Sequence, residues 1–228
     1  MTDSRFDNIL ALDTSTRRLI IAVAFGGDRT VKSDNRVEKT HGQIVMKKID
    51  ELLGSAELAT GDLDALVVCV GPGSFTGLRI GLAAFKGIAV AHGLPVVGLD
   101  LFELAAYKLS WETEPVQLLI PSRRGEFYLG SLDNGEVVAE SKRIAAEDDL
   151  PGLIGNRRVY GIGFDPADVL TGLSARQEGG EMKYDGGDLV VLGREKLLAG
   201  KQADLASLEP MYLQKSIAET NFERRNQK

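Results

Sequence analysis

Between an apolar, strand-like run at Ala65 to Val70 and a helix-like stretch lies Gly71-Pro72-Gly73-Ser74-Phe75-Thr76-Gly77-Leu78-Arg79-Ile80-Gly81. A glycine-rich turn from strand into helix presents unpaired backbone N–H groups at the positive end of the helix dipole. It can hold an anion, or it can let a second backbone approach closely. The spacing excludes two familiar phosphate loops. Leu78 and Arg79 follow Gly77 where a P-loop needs Lys and Ser/Thr, and glycines 71, 73 and 77 miss the G-x-G-x-x-G interval by one residue. Two readings remain of equal weight: a phosphate cradle, or a close-packed turn leading into a helix whose small face, Gly77, Gly81 and Ala84, admits a neighbour.

With 228 residues the chain can bury a sizeable core, as one large domain or two lobes in contact. The balance of 27 basic and 33 acidic residues, net −6, opposes unassisted binding to nucleic acid, so any RNA would meet a basic groove on another subunit. A single cysteine, Cys69, sits in an apolar strand and reads as a small buried hydrophobe in a reducing compartment. No N-terminal signal pattern and no apolar run near the ~20 residues of a membrane span are present. The expectation is a cytoplasmic protein without a membrane partner.

Strands are expected at 8–12, 19–25 and 29–34, with a hairpin turn at 13–18. Thr40 and Gln43 have capping-box spacing before a helix carrying Val45, Ile49, Leu52 and Leu53. A strand at 63–70, a helix at 76–92, a strand at 95–99 and a helix at 102–109 complete a mixed α/β first lobe, residues 1–110. The apolar pattern pauses at Ser110 to Pro115 and resumes in a second, smaller lobe, residues 111–214. There, strands at 116–120, 126–132 and 136–139 surround the hairpin signal Asp133-Asn134-Gly135, followed by a strand at 159–162 and helical stretches at 146–154, 166–173 and 194–199. Residues 215–228 read as a polar tail. The second lobe looks like a shortened echo of the first, which favours a two-lobed, actin-like (ribonuclease-H-like) α/β fold with mixed sheets.

The candidate cofactor-binding residues are Asp13, Thr14 and Ser15, followed by Thr16, in the first hairpin turn, with Gly73, Ser74, Thr76 and Gly77 in the glycine turn. A carboxylate there could orient a magnesium-bound water and the hydroxyls could meet phosphate oxygens; the same residues also favour turns by bonding their own backbone. Arg79 is the one cation in the motif, so affinity for ATP or ADP with magnesium should be weak, and no cofactor is required. A second phosphate loop could be Gly161-Ile162-Gly163, which equally reads as a tight connection. Gly179-Gly180 and Gly186-Gly187 lie among polar residues with no strand before and no helix after. His41, His92 and Cys69 lack metal-site spacing, no G-x-S-x-G elbow is present, and Arg123-Arg124-Gly125-Glu126 reads first as a solvated edge. No catalytic or metal-binding residue is therefore expected. The helices at about 41–53 and 76–92 are expected to pack side by side and form a partner surface through Val45, Ile49, Gly77, Leu78, Gly81, Leu82 and Ala84.

Ile9 to Thr16, the 71–81 run, Arg123 to Glu126 and Glu209-Pro210-Met211-Tyr212-Leu213 together resemble the TsaB (YeaZ) family over nearly the whole chain. The resemblance implies a non-catalytic bacterial subunit that binds the related TsaD and, with the ATPase TsaE, serves the formation of N6-threonylcarbamoyladenosine at position 37 of tRNA, with threonylcarbamoyl-AMP from TsaC as donor. It implies a homodimer when alone, and tRNA contact only through the complex. The metal-binding histidine pair of the catalytic relative falls on Leu101 and Ala105, and Pro121 stands where the family pattern has an acidic residue. Two competitors are a stand-alone ATPase or kinase of the actin-like superfamily and, behind it, a peptidase.

Overall fold

The computed structural model describes residues 4–36, 42, 44–123, 125–170, 174 and 177–213, and the side chains of all of these except 4 and 139–141. His41, Arg124 and the 215–228 tail lie outside the described residues. The apolar run of β1 (Ile9–Asp13) is buried on both faces and forms the middle of a sheet with β2 (Arg18–Phe25) and β3 (Arg29–Arg36) on one side and β4 (Ala65–Gly71) and β5 (Val96–Asp100) on the other. The order is β3-β2-β1-β4-β5. The first three strands are an antiparallel meander, and β4 and β5 add in parallel through α1 (Val45–Ser55) and α2 (Phe75–His92).

After α3 (Leu101–Lys108) the plan repeats with β6 (Val116–Pro121), β7 (Glu126–Asp133) and β8 (Glu136–Ala146) as the meander. Then β9 (Arg158–Ile162) and β10 (Glu178–Met182) add in parallel to β6, giving the order β8-β7-β6-β9-β10. Two sheets of the same strand order and sense make this the two-lobed actin-like fold. The second lobe is reduced: α4 (Leu150–Ile154), between β8 and β9, has 5 residues where α1 has 11, and between β9 and β10, in the place of α2, the described residues hold a 3-10 turn, Pro166–Asp168.

Strand alternation divides the core into layers. Leu10 and Leu12 of β1 face α1 and α2, whereas Ile9 and Ala11 face a central layer of α3 and α5 (Gly186–Leu198). Leu118 and Ile120 of β6 enter that central layer from the other sheet, and Leu119 faces α4 on the far side. The two sheets therefore share one apolar cluster.

The sequence assigns α5 and the residues after it to the second lobe, yet they lie against the first sheet. Helix α5 packs on β1 and β2, and beyond it the Ala203 N–H donates to Val96 O (2.8 Å) and the Met211 N–H to Val70 O (2.7 Å). Close approach explains the composition of α5: a Cβ on Gly193 would lie 2.3 Å from Val67 Cγ2, and one on Gly186 2.5 Å from Ala22 Cβ. The expectation of no strand before and no helix after these glycines is corrected. Gly179-Gly180 lie inside β10, Gly186-Gly187 open α5, and the helix expected at 194–199 begins at Gly186. The stretch expected as a helix at 166–173 contains a 3-10 turn at Pro166–Asp168, and 171–173 lie outside the described residues. Among the described residues no helix is long and apolar enough to cross a membrane.

Two helical glycines should respond with opposite sign. Gly193→Ala meets Val67 and should lose about 1–3 kcal/mol in urea unfolding. Gly87→Ala on α2 meets nothing within 4 Å and should gain about 0.5–1 kcal/mol.

Candidate functional site

Strand β1 runs out at Asp13, whose carboxylate Oδ1 accepts from the Ser15 N–H (2.7 Å) and so shapes the turn into β2. The glycine turn closes directly on this one. Ser74 N–H donates to Ser15 O (2.7 Å) and Thr14 Oγ1 donates to Gly77 O (2.8 Å). A Cβ on Gly73 would lie 2.3 Å from Ser15 O, on Gly77 2.1 Å from Thr14 O, and on Gly81 2.4 Å from Thr14 Oγ1. The glycines thus let one backbone touch another. At the helix end the Gly77 N–H is capped by Ser74 Oγ (3.2 Å), and the Leu78 N–H opens the helical ladder on Ser74 O (2.9 Å).

Asp13, Thr14 and Ser15 are 0–2% exposed. The second Asp13 oxygen accepts from the Tyr184 hydroxyl (2.6 Å), which reaches it from the segment between β10 and α5. Burial, and then the Asp13 charge, push the Tyr184 phenol well above its usual range, so it stays protonated and donates; the same two causes, in the same order, push up the Cys69 thiol. Arg18 stacks over the Tyr184 ring (5.1 Å) and is committed to Asp34 and Tyr184 O. These residues do not fit the phosphates and magnesium of a nucleotide, because the carboxylate is enclosed and the hydroxyl of Thr14 is bonded inward. Of the seven candidates only Ser74 and Thr76 are exposed. Across the cleft the 161–163 turn closes on the same place: a Cβ on Gly163 would sit 3.3 Å from Thr16 Cγ2. Arg79 faces elsewhere, donating to the Tyr212 hydroxyl (3.0 Å) and stacking on Phe75 (4.3 Å).

The partner-surface residues need correction. Helices α1 and α2 do pack side by side, but Val45, Ile49, Leu78 and Leu82 are 1–6% exposed, Gly77 and Gly81 are buried against Thr14, and Ala84 is half-buried. The amphipathic spacing identified the inward face. What faces out is mixed: Met46 beside Lys47, Asp50 and Glu51 on α1, and Thr76, Arg79, Ala83, Gly87 and Val90 on α2, with Val90 74% exposed.

The TsaD family, tRNA N6-adenosine threonylcarbamoyltransferase, matches residues 34–171, more than half of the chain. Proteins named tRNA threonylcarbamoyladenosine biosynthesis protein TsaB are similar along their length: that of Haemophilus influenzae is 26% identical over 92% of this chain and 94% of its own, and that of Bacillus subtilis 29% over 94% and 97%. The structure of YeaZ from Pseudomonas aeruginosa superposes with a TM-score of 0.71 at 25% identity, covering 91% of this chain and all of that one. The chain belongs to the TsaD family, on its TsaB (YeaZ) branch.

Leu101 and Ala105, on which the resemblance places the catalytic relative's histidines, are 0% exposed in the central apolar layer. Beside them Asp100 caps α3 through the Phe102 and Glu103 N–H groups and pairs with Lys142. Among the described residues no three His, Cys, Asp or Glu side chains are grouped to hold a metal ion. His92 lies at the C-terminus of α2, its Nε2 3.0 Å from Thr60 Oγ1. Arg123 and Glu126 bracket a tight turn, with the Glu126 N–H donating to Arg123 O (3.0 Å). Sequence reasoning missed Tyr184, which follows a strand too glycine-rich to recognise, and the trio Glu112, Arg158 and Tyr160, in which Glu112 accepts from both partners.

Two outcomes are expected. Gly77→Ala, placed against a backbone carbonyl, should cost about 3 kcal/mol in urea unfolding, or prevent folding. Burial and then the hydrogen bond to Glu112 push the Tyr160 phenol up to about 12. A raised folded pKa gives stability that is full below the unfolded value near 10 and falls as pH rises towards 12, so Tyr160→Phe should flatten the loss of stability over that window.

Proposed function

We propose that this chain is a non-catalytic scaffold subunit in the formation of threonylcarbamoyladenosine on tRNA, binding a TsaD-type catalytic subunit, with TsaE as the associated ATPase, and pairing with itself when alone. The family membership supports the pathway. The observation that carries the scaffold role is the internal commitment of the Asp13 turn and the glycine run: the elements that would form a nucleotide site in the first lobe are spent on packing. Leu101 and Ala105, apolar and buried, offer no ligand at the place corresponding to the relative's metal. ATP or ADP with magnesium should bind weakly at most, since Ser74 and Thr76 are the only exposed hydroxyls of the candidate loops and Arg79 is turned to Tyr212. With a net charge of −6, contact with tRNA comes through the complex.

The partner surface we propose is the outward face of α1 and α2. Met46 and Val90 are two of the six large apolar side chains exposed among the described residues, and Ala83 and Gly87, small and exposed, stand on the same stripe of α2 as Val90, where another helix can approach. Val90→Asp should leave the unfolding midpoint within about 0.5 kcal/mol and weaken association with the TsaD-type subunit at least about ten-fold by sedimentation, since it puts an unpaired charge in an apolar contact. Unchanged association would move the surface elsewhere. Purified chain supplied with threonylcarbamoyl-AMP and unmodified tRNA should leave the tRNA unmodified until TsaD and TsaE are added. Modification by the chain alone would overturn the scaffold role and favour the stand-alone enzyme.

A further inference from the structure

At the centre of the molecule Asp13, Ser15, Cys69 and Tyr184 form a polar cluster no more than 3% exposed, set where β1 ends and where the chain crosses back from the second sheet to α5. A buried carboxylate is costly unless its lone pairs are bonded. Here they are taken by a backbone N–H and a phenol, while the Ser15 hydroxyl has no partner. Such a cluster adds little net stability compared with apolar packing, so its value lies in what it joins.

It joins the second crossing to the first lobe. Tyr184 stands between the last residue but one before it, Met182 of β10, and Asp185, the N-cap of α5. The crossing is held by further bonds: Arg18 to Tyr184 O (3.0 Å), Lys32 to Asp185 (2.7 Å), and Lys108 to Asp188 (2.9 Å). The exposed pairs among these are worth little singly, whereas the Tyr184–Asp13 bond is shielded from water. The other crossing leads through α3, whose Leu101, Phe102, Leu104 and Ala105 are fully buried in the cluster shared by both sheets.

We propose that Tyr184 is an internal ligand of the cleft: its hydroxyl occupies the carboxylate that a bound cation would otherwise engage, and in doing so latches the second crossing to β1. The two lobes then keep one relative angle with no small molecule between them. A latch of this kind suits a subunit that presents a preformed surface, but it is a property of the isolated chain and does not depend on which partner that surface meets. The Asp13 turn is closed by the same contact that fixes the lobes.

The test is a cycle of Tyr184→Phe, Asp13→Ala and the double variant in the full chain, read by native-state hydrogen exchange. Tyr184→Phe keeps the ring and its packing and removes only the hydroxyl. It should speed exchange about ten-fold both at 183–187 and across the sheet at 13–18, the loss of one bond to a charged group. The double variant should exchange no faster at 183–187 than the faster single variant, because the two side chains share one interaction. Exchange at 203–211, which is bonded to β4 and β5 elsewhere, should not change. If Tyr184→Phe leaves 13–18 untouched, or if the two effects add at 183–187, the latch is wrong. Excess magnesium pyrophosphate should leave exchange at 13–18 unaltered in the native chain; slowing there would show the Asp13 turn open to phosphate and would overturn Tyr184 as its occupant.

Discussion

The structure turns on one backbone-to-backbone contact, in which the glycine turn after β4 lies directly on the turn after β1. Gly73 and Gly77 face the carbonyls of Ser15 and Thr14 at distances no Cβ could accept, and Ser74 and Thr14 supply the two hydrogen bonds that join the turns. This contact sets where α2 begins. It therefore sets the angle at which α2 covers β4, which part of α2 is buried, and which strip of Ala83, Gly87 and Val90 remains outside. The same physics that makes a helix N-terminus welcoming to an anion makes it welcoming to carbonyl oxygens and serine hydroxyls, and here the protein supplies those partners itself.

Two consequences run through the rest of the molecule. The first is mechanical: α3 and α5 lie between the sheets, and the apolar cluster that contains them draws on both lobes, so moving one lobe against the other would disturb packed side chains. The second is electrostatic: an acidic chain with its cleft carboxylate enclosed has little to offer a polyanion.

Much of the fold was legible because the local signals agreed with one another. Apolar runs of strand length, Asn134-Gly135 in the hairpin, and the helical spacing of Val45, Ile49 and Leu53 in α1 led to most elements within a few residues of those observed, though β8 runs on to Ala146 from an expected end at 139. The failures share a cause. Residues 178–187 are glycine-rich and polar, so β10 and the start of α5 carried no periodic signal; their glycines answer to Val159 and Ala22, contacts distant in sequence. The 71–81 motif was conspicuous, and its composition alone left phosphate and backbone as equal partners; the position of the Thr14 and Ser15 carbonyls decides between them. On α1 and α2, apolar spacing marks the buried face, not the surface. Exposure of small residues such as Ala83 and Gly87 leaves no mark in a pattern built on large ones.

With the cleft elements spent internally, the proposed work of the chain falls to the outward α1–α2 face. Hydroxyl-radical labelling of the full chain, alone and bound to a TsaD-type subunit, tests that assignment most directly, because Met46 on α1 and Trp111 after α3 are both exposed, at 51% and 62%, and both react readily. Binding should protect Met46 and leave Trp111 labelled as before. Protection of Trp111 with Met46 unchanged would contradict it.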